Sequence, residues 1–121
     1  MEPAQAPETG NHAGEQLAAI TNGIVKLFRD YYGRGPNKAK TYFLDDTYVV
    51  CVLEETMTTV ERTLVETGKG EMVRQVRLTF QEAMADEFMG VVSTALGRPV
   101  VGYHSQLTLD PDIGFEFFVL G

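Results

Sequence analysis

Residues 41–53 read Thr41-Tyr42-Phe43-Leu44-Asp45-Asp46-Thr47-Tyr48-Val49-Val50-Cys51-Val52-Leu53. Two β-prone runs flanking a two-residue acidic turn spell a hairpin. The second run, Tyr48 to Leu53, is apolar on both faces, which places it in the interior of a sheet and not at its edge. At the C-terminal end, Val100 to Leu109 and Ile113 to Leu120 form a second strand pair joined by Asp110-Pro111-Asp112, a turn-forming sequence. In the last strand Phe115, Phe117 and Val119 are expected to face the core. That puts Glu116, Phe118 and Leu120 on a partly apolar outer face, which marks Phe118 and Leu120 as interface candidates.

Helical patterns surround these strands. Leu17, Ile20, Ile24, Leu27, Phe28 and Tyr31 recur at spacings of three and four, predicting a helix from Gly14 to about Tyr32. Gly33 suits the left-handed conformation past a helix end, and Pro36 prevents resumption. Thr58-Thr59-Val60-Glu61 fits a capping box, so a second helix runs from there to Glu66 or Thr67. Gly68-Lys69-Gly70 breaks it. A third helix is predicted from Glu71 to about Leu96, with Val73, Val76, Phe80, Met84, Phe88, Val91, Val92 and Leu96 on one face and Gly97 at its end.

The order α-β-β-α-α-β-β lacks the alternation that builds a parallel sheet. It predicts an α+β two-layer sandwich: a four-stranded, mainly antiparallel sheet with helices on one face. A dimer exchanging strands between two chains is the alternative arrangement. The domain is expected over residues 14–121, with residues 1–13 a disordered tail rich in Pro, Ala, Glu and Gly. That tail lacks the basic start and apolar segment of a signal peptide.

Composition narrows the function. The 121 residues hold 17 Asp and Glu against 10 Lys and Arg, a net charge of −7 that disfavours nucleic acid. The longest apolar run, Tyr48 to Leu53, is far short of the ~20 residues of a membrane span. The single cysteine, Cys51, excludes an intrachain disulfide and fits a reducing cytoplasm. Within an apolar strand it reads as a small, inert hydrophobe.

The basic residues cluster. Lys26, Arg29, Arg34, Lys38 and Lys40 make up half of the 10, and Asp30 alone opposes them between residues 26 and 40. Gly33 and Gly35 permit close backbone approach, so Arg34, Gly35, Lys38 and Lys40, joined by Arg77 from the third helix, form a candidate cradle for a small anion such as bicarbonate or phosphate. The rival reading is a helix terminator and a solvated basic loop, with Arg77 snorkelling to solvent or paired to a carboxylate such as Glu61. His104 and Ser105 are adjacent on a strand and point to opposite faces, so they cannot act as base and nucleophile together. The paired carboxylates Asp45-Asp46, Glu54-Glu55 and Asp110/Asp112 sit at turns or strand ends, as turn propensity dictates. One histidine outside the tail is too few for a histidine-rich metal site, and no cofactor, metal or catalytic set is expected.

Several stretches together carry a family resemblance. They are Gly33-Arg34-Gly35-Pro36-x-Lys38-Ala39-Lys40, Thr58-x-x-Glu61 to Gly68, Val73-x-x-Val76-Arg77, Thr94-Ala95-Leu96-Gly97-Arg98-Pro99-Val100 and the final Phe117-Phe118-Val119-Leu120. From Gly14 to Leu120 the chain resembles the MpsC-like family of small bacterial domains, named for a Na+-translocating, membrane-potential-generating system. The positions matched to the family pattern are Gly33, Gly35, Pro36, Lys38, Arg77 and Gly97. The resemblance implies a non-catalytic accessory component of a membrane system linked to cation and inorganic-carbon transport. On that basis the expected protein is cytoplasmic or peripheral to the inner face of the membrane, a homo-oligomer, and in contact with a membrane-complex partner. It brings no catalytic residues.

Overall fold

A computed structural model describes residues 5–121, with side chains from residue 13 onward. Helix α1 spans Gln5–Leu27 and passes into a π-helical turn, Phe28–Tyr32. Residues 1–4 of the expected tail lie outside the described residues, and α1 begins at Gln5, nine residues before the expected start at Gly14. Strands β1 (Lys38–Leu44) and β2 (Tyr48–Glu54) form the hairpin. Leu44 pairs with Tyr48, so the loop holds three residues and not the expected two: Asp45 and Asp46 take positive φ, 54° and 56°, at the centre of a turn in which the Thr47 amide donates to Leu44 O at 3.2 Å, and Thr47 is the extra residue. Helices α2 (Thr59–Glu66), α3 (Gly70–Ala83) and α4 (Ala85–Leu96) come next, then β3 (Val100–Thr108) and β4 (Ile113–Leu120).

The sheet order is β1-β2-β4-β3 with every neighbouring pair antiparallel, so one chain completes its own four-stranded sheet. The doubly apolar strand β2 is interior, and β4 lies beside it. The helices cover one face. Ile20 and Ile24 from α1 and Phe28 from the π-helical turn meet Phe88 and Val92 from α4 over Val49, Cys51, Leu53, Phe118 and Leu120 of the sheet. Phe28 anchors an aromatic cluster, with ring centroids 5.5 Å from Phe88 and 5.7 Å from Phe80.

Three local expectations meet corrections. The third helix is divided at Met84, whose φ of −100° and ψ of 8° leave the helical region, although its amide still bonds to Phe80 O at 2.9 Å. Inside α3, Val76 is 55% exposed while Arg77 is 1% exposed, so the arginine takes the interior place expected for valine. In β4 the faces are the reverse of the expectation. Phe118 (0% exposed) and Leu120 (5%) belong to the core, and Phe115, Phe117 and Val119 face outward. Glu116 (0% exposed) therefore points inward with them. The reason is that α3 and β3 supply Glu116 with hydrogen-bond donors, which lets a carboxylate occupy a core position.

Candidate functional site

The π-helical turn sets the first cluster. A π turn holds one residue more than an α turn and rotates the residues after it about the helix axis. Tyr31, in register with the apolar stripe of a regular helix, turns to solvent, while Tyr32 turns inward. Gly33, at φ 90°, then ends the helix in the left-handed conformation.

Tyr32 reaches Glu61 at the start of α2 and donates its hydroxyl to Oε2. Glu61 also closes the expected capping box: its Oε1 accepts from the Thr58 amide at 2.9 Å, and its own amide donates to Thr58 Oγ1 at 3.1 Å. Arg77 donates to the same carboxylate through Nε at 2.8 Å and Nη2 at 3.0 Å. Its guanidinium carbon lies 4.6 Å from the centre of the Tyr32 ring. From Arg77 the bonds continue through Nη2 to Thr56 Oγ1 at 2.8 Å, and Thr56 donates to Asp112 Oδ1 at 2.9 Å. Asp112 Oδ2 accepts the Met57 amide at 2.9 Å. One network thus ties the π-helical turn, α2, α3 and the β3–β4 turn together. Burial raises the Glu61 pKa, but the hydrogen bonds from Arg77, Tyr32 and the Thr58 amide outweigh it and hold the carboxyl below its ordinary value. Burial and the bond to Glu61 push the Tyr32 phenol up to about 12.

The expected anion cradle does not assemble with Arg77. Arg77 is buried and bonded to Glu61 and Thr56, as the rival reading required. Arg34 Nη2 donates to Glu55 O at 3.1 Å and to Asn37 Oδ1 at 3.4 Å, closing the loop upon itself. Gly35 lies against α1, where a Cβ would stand 3.4 Å from Val25 Cγ1. Lys38 and Lys40 project from the outer face of β1, with Lys40 Nζ 5.4 Å from the Tyr42 ring centre. They share a cavity of about 430 Å3 with Asn37, Tyr42 and Glu54.

A second polar cluster surrounds Glu116. It accepts from Tyr103 Oη on one oxygen, and from Ser105 Oγ at 3.0 Å and Gln81 Nε2 at 2.9 Å on the other. Burial pushes its pKa up to about 7 against the pull of Tyr103, Ser105 and the positive charge of Arg77. Burial and the neighbouring Glu116 charge likewise raise the Tyr103 phenol. Sequence reasoning misses this cluster because a lone glutamate in an otherwise apolar strand reads as solvent-facing. Ser105 and His104 do point to opposite faces, Ser105 to Glu116 and His104 outward.

The outer sheet face is left uncovered by the helices. Tyr42, Leu44, Tyr48 and Phe115 are exposed there, with Val50, Val52, Phe117 and Val119 half-buried between them. Tyr48 and Phe117 rings lie 5.6 Å apart. Val50, His104, Phe115 and Phe117 help to line an almost wholly apolar groove of about 360 Å3. No helix among the described residues is long and apolar enough to cross a membrane. Among the described residues no cluster of three His, Cys, Asp or Glu side chains suits a metal ion.

No curated protein and no solved structure matches the chain. A family model does, over residues 12–121, nearly the whole length: the chain belongs to the MpsC family, described as the Na+-translocating membrane potential-generating system.

Proposed function

We propose that this domain is a non-catalytic accessory component of the membrane system named by its family, and that it works by assembly through the outer face of its sheet. The observation that carries the reading is that apolar face: Tyr42, Leu44, Tyr48 and Phe115 stand exposed on a sheet whose other face is the core. A soluble antiparallel sheet normally turns polar side chains to water, and contiguous apolar surface marks an interface. Strands ~4.8 Å apart and ~3.3 Å per residue give this face a footprint of about 20 by 25 Å. With side-chain relief that is of the order of the ~800 Å2 per partner of a standard interface.

A second copy of the chain is the occupant we favour. A two-fold axis through the paired Val50 and Phe117 lays the patch of Tyr48, Val50, Phe115 and Phe117 against the same patch of a second copy and leaves Lys38 and Lys40 at the rim, open to water or acidic partners. The dimer works in the cytoplasm, peripheral to the membrane, and meets a membrane-embedded partner there. Support for a non-catalytic role is that His104 and Ser105 lie on opposite faces of β3. The anion-sensor reading has lost Arg77 to Glu61 and keeps Arg34, Lys38 and Lys40 alone, so we rank it below assembly.

The test is the solution mass of the wild type beside Tyr48→Lys, Phe115→Lys. The expected result is a dimer for the wild type and a folded monomer for the variant. A dimer that survives both lysines overturns the surface assigned.

A further inference from the structure

The strand registers set the outward side chains of the sheet in rows, each row crossing β1, β2, β4 and β3 in turn. Tyr42, Val50, Phe117 and His104 stand side by side in one row. Lys40, Val52, Phe115 and Gln106 form the next. On the two inner strands every one of the apolar rows holds one bulky and one slender residue: Tyr48 beside Val119, Phe117 beside Val50 and Phe115 beside Val52. The charges are confined to the end of the face that carries Lys38, Lys40 and Glu54.

Stacked sheets lie ~10 Å apart, so each side chain has to fill the space left by the one opposite. A two-fold axis lying in the face and running across the strands sets each strand on its own copy. Through the row of Val50 and Phe117 it sets Phe117 on Phe117 and Val50 on Val50, and it lays Lys40 on Leu44. Moved half a row along, it sets Phe115 on Phe117, Val52 on Val50 and Lys38 on Leu44. Either placement crowds rings above β4, leaves space above β2 and buries a lysine against an aliphatic side chain.

We propose that the two copies stack about a two-fold axis parallel to the strands, running between β2 and β4, so that β1 of each copy lies over β3 of the other. The inference rests on assembly through the outer sheet face and adds the register of that assembly. Bulky now meets slender across the interface: Tyr48 lies over Val119 of the other copy, Phe117 over its Val50 and Phe115 over its Val52. Toward the edges Tyr42 meets His104 and Leu44 meets Gly102, which has no side chain to displace. Both lysines meet uncharged polar residues, Lys40 with Gln106 and Lys38 with Thr108, so neither cation is pressed on an apolar group. Glu54, in register with Lys38 of its own chain, meets Ile113 in the outermost row.

The test is a double-mutant cycle on the dimer dissociation constant, read by sedimentation equilibrium at constant, low ionic strength. Within one chain Lys40 and Gln106 are separated by three strand spacings, about 14 Å, too far to pair. Gln106→Glu is expected to tighten the dimer about fivefold through two ion pairs with Lys40 across the interface, and the gain should vanish in a Lys40→Met background. Thr108→Glu, tested with and without Lys38→Met, is a second arm with the same expectation. All four positions are exposed, so the substitutions spare the core. In a dimer mixed from isotope-labelled and unlabelled chains, NOEs should join the Tyr42 ring of one copy to the His104 ring of the other. A dimer without coupling between positions 40 and 106, or with NOEs that join Phe117 to Phe117, overturns this axis and leaves assembly standing. A wild type that is monomeric at every concentration overturns both.

Discussion

Arg77 and Glu61, one on α3 and the other at the head of α2, share two hydrogen bonds of 2.8 and 3.0 Å beneath the face of Tyr32. Glu61 performs two tasks with one carboxylate, capping α2 and neutralising a buried guanidinium. Removing either partner leaves the other charged in the interior, at a cost of about 3–5 kcal/mol. Arg77→Ala and Glu61→Ala are each expected to lose that much in urea denaturation. The double variant Arg77→Met, Glu61→Leu should lose distinctly less than the two single losses added together, because no stranded charge remains.

The pH dependence of stability has two limbs of opposite sign. Glu61 is held below its ordinary pKa in the fold, so its contribution is present above the unfolded value and disappears as pH falls through the lower folded one. Glu116 is raised to about 7, so the folded chain holds its proton more tightly than the unfolded chain does. Its contribution is full below the unfolded carboxyl pKa and is lost as pH rises through about 7, an effect of about 3 kcal/mol. Stability by urea denaturation should therefore peak in mildly acid solution and fall toward neutrality. In Glu116→Gln the fall toward neutrality should vanish.

Gly23 sits inside α1, where alanine would ordinarily favour the helix by about 0.5–1 kcal/mol. A Cβ there would stand 2.6 Å from Val91 Cγ1 on α4. Valine in a helix is confined to one χ1 rotamer and cannot swing aside. Gly23→Ala should thus destabilise the fold, by about 1–3 kcal/mol for overpacking less the helix gain. In a Val91→Ala background the same substitution should become stabilising.

Cys51 is buried at the centre of the sheet, and burial pushes its thiol up to about 12. Thiol reagents react with the thiolate. Native protein should resist labelling at neutral pH and react fully once unfolded in denaturant; rapid native labelling would contradict the core described.

The features legible in the sequence are local or strongly periodic. Gly33 and Gly97 mark helix ends and take φ of 90° and 65°, and Thr58-x-x-Glu61 forms the capping box it spells. Tyr48 to Leu53, apolar on both sides, lies between two strands because neither of its faces suits an edge. Strand β4 misleads because both of its faces carry Phe and a branched aliphatic residue, so alternation gives no preference and Glu116 tips the reading outward. Arg77 and Val76 exchange places for the same kind of reason: the interior partner, Glu61, is remote in sequence. The helix break at Met84 and the π turn at Phe28–Tyr32 have no glycine or proline to announce them. Pairing of Arg77 with Glu61 is readable as one of three alternatives, and the geometry selects it over the anion cradle and over a solvent-facing arginine.

Sedimentation equilibrium across a concentration series reads assembly through the bare sheet face. The expected result is a monomer–dimer equilibrium for the wild type, shifted wholly to monomer by Tyr48→Lys, Phe115→Lys with the fold retained. A wild type that stays monomeric to millimolar concentration would contradict it.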